Sequence, residues 1–223
     1  MRKTLVVLAS FALSSVLLSG CGILGPGGNP SPSGGQTGET KAFPYGKDYI
    51  AQHLDPDHSI TYRTNQDYDM TYTHTSAGGI YATIGDAERM YVQIGSTGTY
   101  ATYKGTAAAG FKKTADAPLS QADVDSQMST WTENMAWHTV LSRDDPEWYA
   151  KNVQLSGTEK ILDRECDVYV FGINYEGKDR AFTWWIDQAT GVTLKATDSQ
   201  DRTAGFVATE FKLGADVTFP THD

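Results

Sequence analysis

Tyr68-Asp69-Met70-Thr71-Tyr72-Thr73-His74-Thr75 alternates without a break, with Tyr68, Met70, Tyr72 and His74 on one side and Asp69, Thr71, Thr73 and Thr75 on the other. A period of two is that of an extended strand with one face covered and the other wetter. The same period returns around it, over residues 59–64, 80–85, 89–94 and 99–104. The spacers Ser76-Ala77-Gly78-Gly79 and Gly95-Ser96-Thr97-Gly98 have the length and the residues that hairpins need. An antiparallel meander is predicted.

A short helix is expected before it, over 48–54, and a break in the meander after it, over 105–117. A helix signal follows. Ser120 can cap, Asp123 stands three residues on, and Leu119 with Val124 has the spacing of a hydrophobic staple. Val124, Met128, Trp131, Met135 and His138 fall on one stripe of a helix over 121–141, whose bulk requires it to lie across a sheet. A second short helix is expected over 144–149, with Asp145 as cap and Pro146 in the first turn. Strands then resume over 153–156 with 159–162, and over 166–175, 182–187, 192–197 and 205–213. In 166–175 both faces are apolar: Cys166, Val168 and Val170 on one, Tyr169, Phe171, Ile173 and Tyr175 on the other. Phe182, Trp184 and Ile186 against Ala181 and Trp185 repeat this, so these strands are expected to be covered twice. The fold class is mainly β (α+β), with about ten antiparallel strands and one long helix, either a strongly curved sheet around the helix or a closed barrel.

The runs Gly157-Thr158-Glu159-Lys160-Ile161-Leu162-Asp163-Arg164-Glu165-Cys166-Asp167-Val168-Tyr169 and Trp185-Ile186-Asp187-Gln188-Ala189-Thr190-Gly191-Val192-Thr193-Leu194-Lys195 resemble the C-terminal half of LolA-like proteins. That superfamily includes the LolA and LolB carriers, the LppX and LprG lipoproteins and the RseB-type stress sensors. The resemblance covers residues 157–213 and, by pattern only, the meander. It implies an unclosed half-barrel whose concave face is apolar, partly plugged by helices and used to shelter acyl chains. It carries over no ligand-contacting residue, because such proteins recognise by cavity and not by a short motif.

The N-terminus has a grammar of its own. Arg2 and Lys3 precede an apolar run over 5–18, the layout of a secretory signal and too short to span a membrane. Leu18-Ser19-Gly20-Cys21 resembles the bacterial lipobox, which makes residues 1–20 a lipoprotein signal peptide and Cys21 the lipidated residue. Two acyl chains give stable anchoring. Gly22 follows the Cys instead of Asp, so in a host with two membranes the outer membrane is the expected location. Residues 21–42 are rich in Gly, Pro, Ser and Thr and form a tether with a reach of roughly 25 Å. Residues 43–223 are the β-domain.

Composition narrows the function. With 39% hydrophobic and 11% aromatic residues in 223, the chain buries a core and is not wholly disordered. Removal of Arg2 and Lys3 with the signal leaves 16 basic against 27 acidic residues, a surface that repels nucleic acid and anionic lipid. Five His and two Cys are little material for a multi-ligand metal site or a disulfide framework.

Motifs for chemistry are weak. Gly105 and Gly110 have the spacing of a phosphate loop, but Phe111 stands where Lys is required. Asn65, Asp67 and Asp69 alternate like a calcium loop, but Met70 occupies the Gly position, which suits a polar hairpin better. His53, Asp55, Asp57 and His58 suit a solvated helix end. No Gly-x-Ser-x-Gly elbow exists. Cys166 reads as a small buried hydrophobe and His138 as a packed residue. No catalytic residue, metal or cofactor is expected.

Five Trp and five Met are more than a sheet with one helix needs. Met70, Tyr72, Met128, Trp131, Met135 and Trp184 are therefore the candidates to line an apolar cavity, the core being the alternative for each. The expected function is an envelope lipoprotein, anchored to the membrane, that binds or carries a lipid or acylated ligand. The alternative is a non-enzymatic envelope sensor or module for a protein partner. A hydrolase ranks last.

Overall fold

The alternation at 68–75 becomes the second strand of a twelve-stranded antiparallel sheet. A computed structural model describes residues 43–45, 47–132, 146–175, 178–203 and 205–223. Helix α1 (Lys47–His53) leads into the meander β1 (His58–Thr64), β2 (Asp69–His74), β3 (Gly79–Ile84), β4 (Ala87–Gln93), β5 (Thr99–Thr106) and β6 (Gly110–Lys113). A short β7 (Leu119–Ser120) precedes α2 (Gln121–Thr132), and α3 (Pro146–Asn152) precedes β8 (Val153–Ile161), β9 (Arg164–Tyr175), β10 (Lys178–Asp187), β11 (Thr193–Asp198) and β12 (Phe206–Leu213). The order across the sheet is β6-β5-β4-β3-β2-β1-β12-β11-β10-β9-β8, with β7 beside β5. The sheet therefore has two ends and does not close into a barrel. The pairing of β1 with β12 joins the halves, so the two antiparallel runs become one surface.

Two of the twelve strands were not expected. The stretch 105–117 was read as a break, yet β5 runs through Gly105 and turns back as β6. Gly105 is held at a φ of +155°, and a Cβ there would meet the Gly110 carbonyl oxygen, so only glycine fits this approach. The second surprise, β7, has two residues. By contrast, 153–162 is one strand and not two. Gly157 sits at a bulge beside Leu155, which interrupts the alternation without ending the pairing. Further bulges lie at Thr61/Tyr62 and Trp185/Ile186, and such insertions bend strands and increase their twist.

Helix α2 starts as its sequence dictates. Ser120 Oγ donates to Asp123 Oδ2 (2.6 Å) and accepts from the Asp123 N–H (3.2 Å), while the Ser120 N–H donates to Asp123 Oδ2 (3.1 Å). This is a reciprocal capping box, and Leu119 packs against the cluster that holds Val124. The expected helix over 121–141 is described only to Thr132; Trp137, His138 and the rest of that stretch lie outside the described residues, as does Asp145. Pro146 occupies the first position of α3.

Residues 217–223 return across the meander. Phe219 packs against a cluster of Tyr81, Met90 and Phe111, and the Phe111 N–H donates to the Thr221 carbonyl while the Asp223 N–H donates to that of Phe111. The edge strand β6 thus has a partner along part of its length, which lowers its tendency to pair with other chains.

Candidate functional site

Directly paired residues in an antiparallel ladder share a face. The register carries one face from Ile80–Tyr91 and Tyr72–Ala82 through Tyr62–Ala208 and Phe206–Ala196 to Trp184–Tyr169 and Phe182–Phe171. Among the described residues, α1, α2 and α3 all contribute to the apolar groups on it. Val124 and Met128 of α2 form one cluster with Ile80, Ala82, Tyr91 and Tyr100. The larger cluster takes Tyr149 from α3, Tyr62, Met70, Tyr169, Phe171, Trp184 and Phe206 from the strands, and has Tyr49 and Ile50 of α1 packed against it. Phe171 and Trp184 are 3.8 Å apart between ring centroids, and Tyr62 meets Phe206 edge-on at 4.7 Å.

The six expected cavity residues fall on this face as far as they are described. Met70 and Trp184 are buried in the larger cluster and Met128 in the smaller one. Tyr72 is packed against both and so links them. Trp131 is in α2, but its side chain, like all of Met135, is outside the described residues, and so is Cys21. Burial pushes the phenols of Tyr62, Tyr72 and Tyr169 well above their ordinary range, so they stay neutral, and Tyr62 donates to the Thr193 carbonyl at 2.8 Å.

Sequence reasoning missed the aromatic segment ahead of β1. Phe43 stacks on Tyr149 (4.7 Å, 9°), and Tyr45 is 3% exposed. The Tyr45 hydroxyl donates to Asp167 Oδ2 at 2.9 Å, Gln188 Nε2 donates to Oδ1 at 2.7 Å, and the Tyr169 hydroxyl lies 3.5 Å from Oδ2. Asp167 is therefore a buried carboxyl group satisfied by donors within an otherwise aromatic region. Desolvation first, and the bond to Asp167 second, push the Tyr45 phenol far above its ordinary value. The only signal available in the sequence was the apolar-aromatic pair Phe43 and Tyr45 at the end of a polar tether.

The opposite face is polar over β1 and β2 and carries the Tyr81, Met90 and Phe111 cluster over β3, β4 and β6. Ser59 and Thr73 share a hydroxyl hydrogen bond at 2.7 Å, and Thr61 and Thr71 another at 3.0 Å. Under the C-terminal half it carries Cys166, Val168 and Trp185. Trp185 donates from Nε1 to Glu159, and the Lys195 ammonium sits 3.9 Å over its ring. Burial pushes the Cys166 thiol up to about 12, which makes it inert at neutral pH.

The other stretches singled out in the sequence have local tasks. Arg63 binds Asp69 through two nitrogens (2.6 and 3.0 Å) and Asp67 through a third (2.9 Å), tying the hairpin carboxylates. His53 Nδ1 bonds the Tyr49 carbonyl, His58 Nδ1 that of Asp55 and His74 Nδ1 that of Pro56, while Asp57 accepts from Ser76. Among the described residues, no group of three or more His, Cys, Asp or Glu converges as metal ligands. A cleft of about 450 Å³ lies between the β8–β9 and β10–β11 turns, lined by Asp163, Arg164, Glu165, Asp187, Gln188 and Ala189. Five of these six residues are charged or polar.

No family model matches the chain, and no curated protein matches it. Among solved structures it is similar to LprF from Mycobacterium bovis, at 11% identity over 78% of this chain and 96% of that one, with a TM-score of 0.36. The lipoprotein LppX from Mycobacterium tuberculosis aligns at 14% identity over 76% and 92%, with a TM-score of 0.33. A DUF1329 family protein from Desulfovibrio piger aligns at 11% identity over 77% and 92%, with a TM-score of 0.22.

Proposed function

We propose that the chain is an extracytoplasmic lipoprotein, anchored through Cys21, that binds or carries a lipid or acyl chain on the helix-covered face of its open sheet, and that it performs no catalysis of its own. The observation that carries this reading is the continuity of that face: apolar side chains run across both halves, Tyr72 joins the two clusters, and short helices cover it from above. The sheet is unclosed, and Met70 and Met128 add side chains that adapt to variable apolar shapes. The signal-like residues 1–20, the lipobox and the tether over 21–42 support a location at a membrane surface, the outer one in a host with two membranes.

Isolation of the chain from its native membrane tests both parts. Acyl mass on Cys21, loss of that mass and of detergent partitioning in Cys21→Ser, and a stoichiometric co-extracted lipid are the expected results. A chain wholly in the aqueous phase without acyl mass would refute the anchor. A domain free of lipid when extracted under mild conditions would favour a module for a protein partner.

A further inference from the structure

The hairpin of β5 and β6 is basic in an acidic chain. From 89 to 115 the sequence holds Arg89, Lys104, Lys112 and Lys113 and no Asp or Glu, whereas the whole chain has 27 acids against 18 Lys and Arg. Lys104 and Lys112 are directly paired across the ladder, so two like charges stand side by side on one face, which by itself destabilises a sheet. Lys113 pairs with Tyr103 and therefore emerges on the other face. Lys112 and Lys113 are exposed, and among the described residues neither has an ion-pair partner. Lys104 reaches Asp116 only at 4.0 Å, with side-chain exposures of 79% and 62%. Residues 105–109 at the tip are exposed as well. The carboxylate that touches the tip, Glu88, is taken up: its Oε2 accepts from the Tyr81 hydroxyl at 2.7 Å and from the Ala107 N–H at 2.9 Å, which fixes the tip in place. Asp223 lies beside β6, where its N–H donates to the Phe111 carbonyl at 3.2 Å.

We infer that this hairpin, through Lys104, Lys112 and Lys113, is a docking surface for an anionic lipid bilayer. An array of separate, flexible ammonium groups matches a fluid layer of phosphates, which calls for charge and no fixed geometry. A protein partner calls for buried apolar anchors as well. The exposed large hydrophobic residues among those described are Ile94, Leu155 and Leu162, and none of them is in this hairpin. Ala107, Ala108 and Ala109 at the tip are small and uncharged, so the lysines can approach the head groups without burying an acid. The acyl anchor proposed above limits only the distance of the domain from the membrane, whereas this contact sets which end of the sheet faces it.

The test uses the full chain with Cys21→Ser, so that no binding depends on an acyl anchor. Sedimentation with phosphatidylcholine vesicles is compared with and without about 30% phosphatidylglycerol, in about 0.1 M salt. The anionic vesicles should take up the chain about tenfold better than the neutral ones, and about 0.5 M salt should remove the difference. Lys104→Gln, Lys112→Gln and Lys113→Gln together should lower uptake to the neutral level at an unchanged urea midpoint, while Lys151→Gln with Lys160→Gln should leave it as it was. An environment-sensitive dye on Ala108→Cys should shift to the blue with anionic vesicles only. Equal uptake by the two vesicles, uptake by neither, an unaffected triple variant or an unresponsive dye would each overturn the docking surface. Binding of polyglutamate at the three lysines in place of vesicles would overturn it in favour of an acidic protein partner. Lipid that the chain carries into the supernatant reports on ligand binding and is read separately, so either reading can fail without the other.

Discussion

Arg164 lies in a two-point contact on Asp187, Nε to Oδ1 at 3.0 Å and Nη2 to Oδ2 at 2.9 Å, across the ends of β9 and β10. The Asp187 carboxylate is 2% exposed, and its Oδ2 also accepts from the Thr190 N–H at 3.0 Å and the Thr190 hydroxyl at 2.5 Å. Every partner is a donor. The Asp-Gln-Ala-Thr-Gly turn over 187–191 is thus built around one buried charge, and Gly191, at a φ of +79°, lets the chain leave it.

Removal of the cation alone strands that charge. Arg164→Leu should therefore destabilise the domain by about 3 kcal/mol, read from urea unfolding. Asp187→Asn should cost less, because an amide still accepts from Thr190. An Arg164→Leu change below about 0.5 kcal/mol would show the pair to be no better than a surface ion pair.

His58 gives the domain a pH dependence of known sign. Burial first, and its neighbour His74 with ring centroids 5.5 Å away, hold its imidazole below the ordinary 6.5, although the bond to the Asp55 carbonyl and the Asp55 charge oppose this. Between the depressed folded value and 6.5 the unfolded chain binds more protons, so stability falls as pH drops through that window and levels off below it. Asp57 adds a separate loss at lower pH. Its carboxylate is held below its ordinary 3.8 by the Ser76 N–H and hydroxyl, so its contribution is present above 3.8 and disappears as pH falls through the folded value. Urea midpoints measured from pH 7.5 to 4.5 should decline in wild type and decline less in His58→Gln. Equal slopes would mean that another group titrates.

The capping box at α2 predicts a smaller effect. Ser120→Ala removes the hydroxyl bonded to Asp123 and leaves the Asp123 N–H open, which should cost about 1 kcal/mol. Ser120→Asp should recover part of this. An unchanged unfolding midpoint in Ser120→Ala would mean that α2 is held by Val124 and Met128 alone.

Cys166 is 0% exposed, with a thiol pushed up to about 12. A polar thiol reagent at pH 7.5 should label it only after denaturant is added, with a rate that follows unfolding. Rapid labelling of the native chain would place the thiol at the surface.

Local chemistry was legible in the sequence wherever a short-range rule decides structure. Alternation at 68–75 gave strand and facing, since a period of two admits one arrangement. Ser120 with Asp123 gave the start of α2, and Pro146 the start of α3. Legibility failed where one residue acts over a long distance. Gly105 and Gly110 were read as loop residues because nothing nearby shows that the two backbones meet. Gly157 split β8 into two expected strands because a bulge and a turn look alike in sequence. Neither the crossing of 217–223 to β6 nor the bond between Tyr45 and Asp167, 122 residues apart, has a local signal. Of the cavity candidates, Met70 and Tyr72 share a face, as the period of two implied, and Met128 and Trp184 lie on the same side of the sheet. That Phe43 and Tyr45 join the larger cluster beside Tyr149 and Tyr169 was not visible.

The most direct test of the ligand-binding reading is a titration of the delipidated chain with acyl lipids of increasing chain length, followed by Trp emission. Trp184 sits against Phe171 on the helix-covered face, so ligand entry should shift the emission to the blue, saturate near one equivalent and strengthen with chain length. Trp184→Phe should reduce the signal while the urea midpoint changes little. A cooperatively folded chain whose emission responds to no fatty acid, acylglycerol, phospholipid or glycolipid would contradict the account.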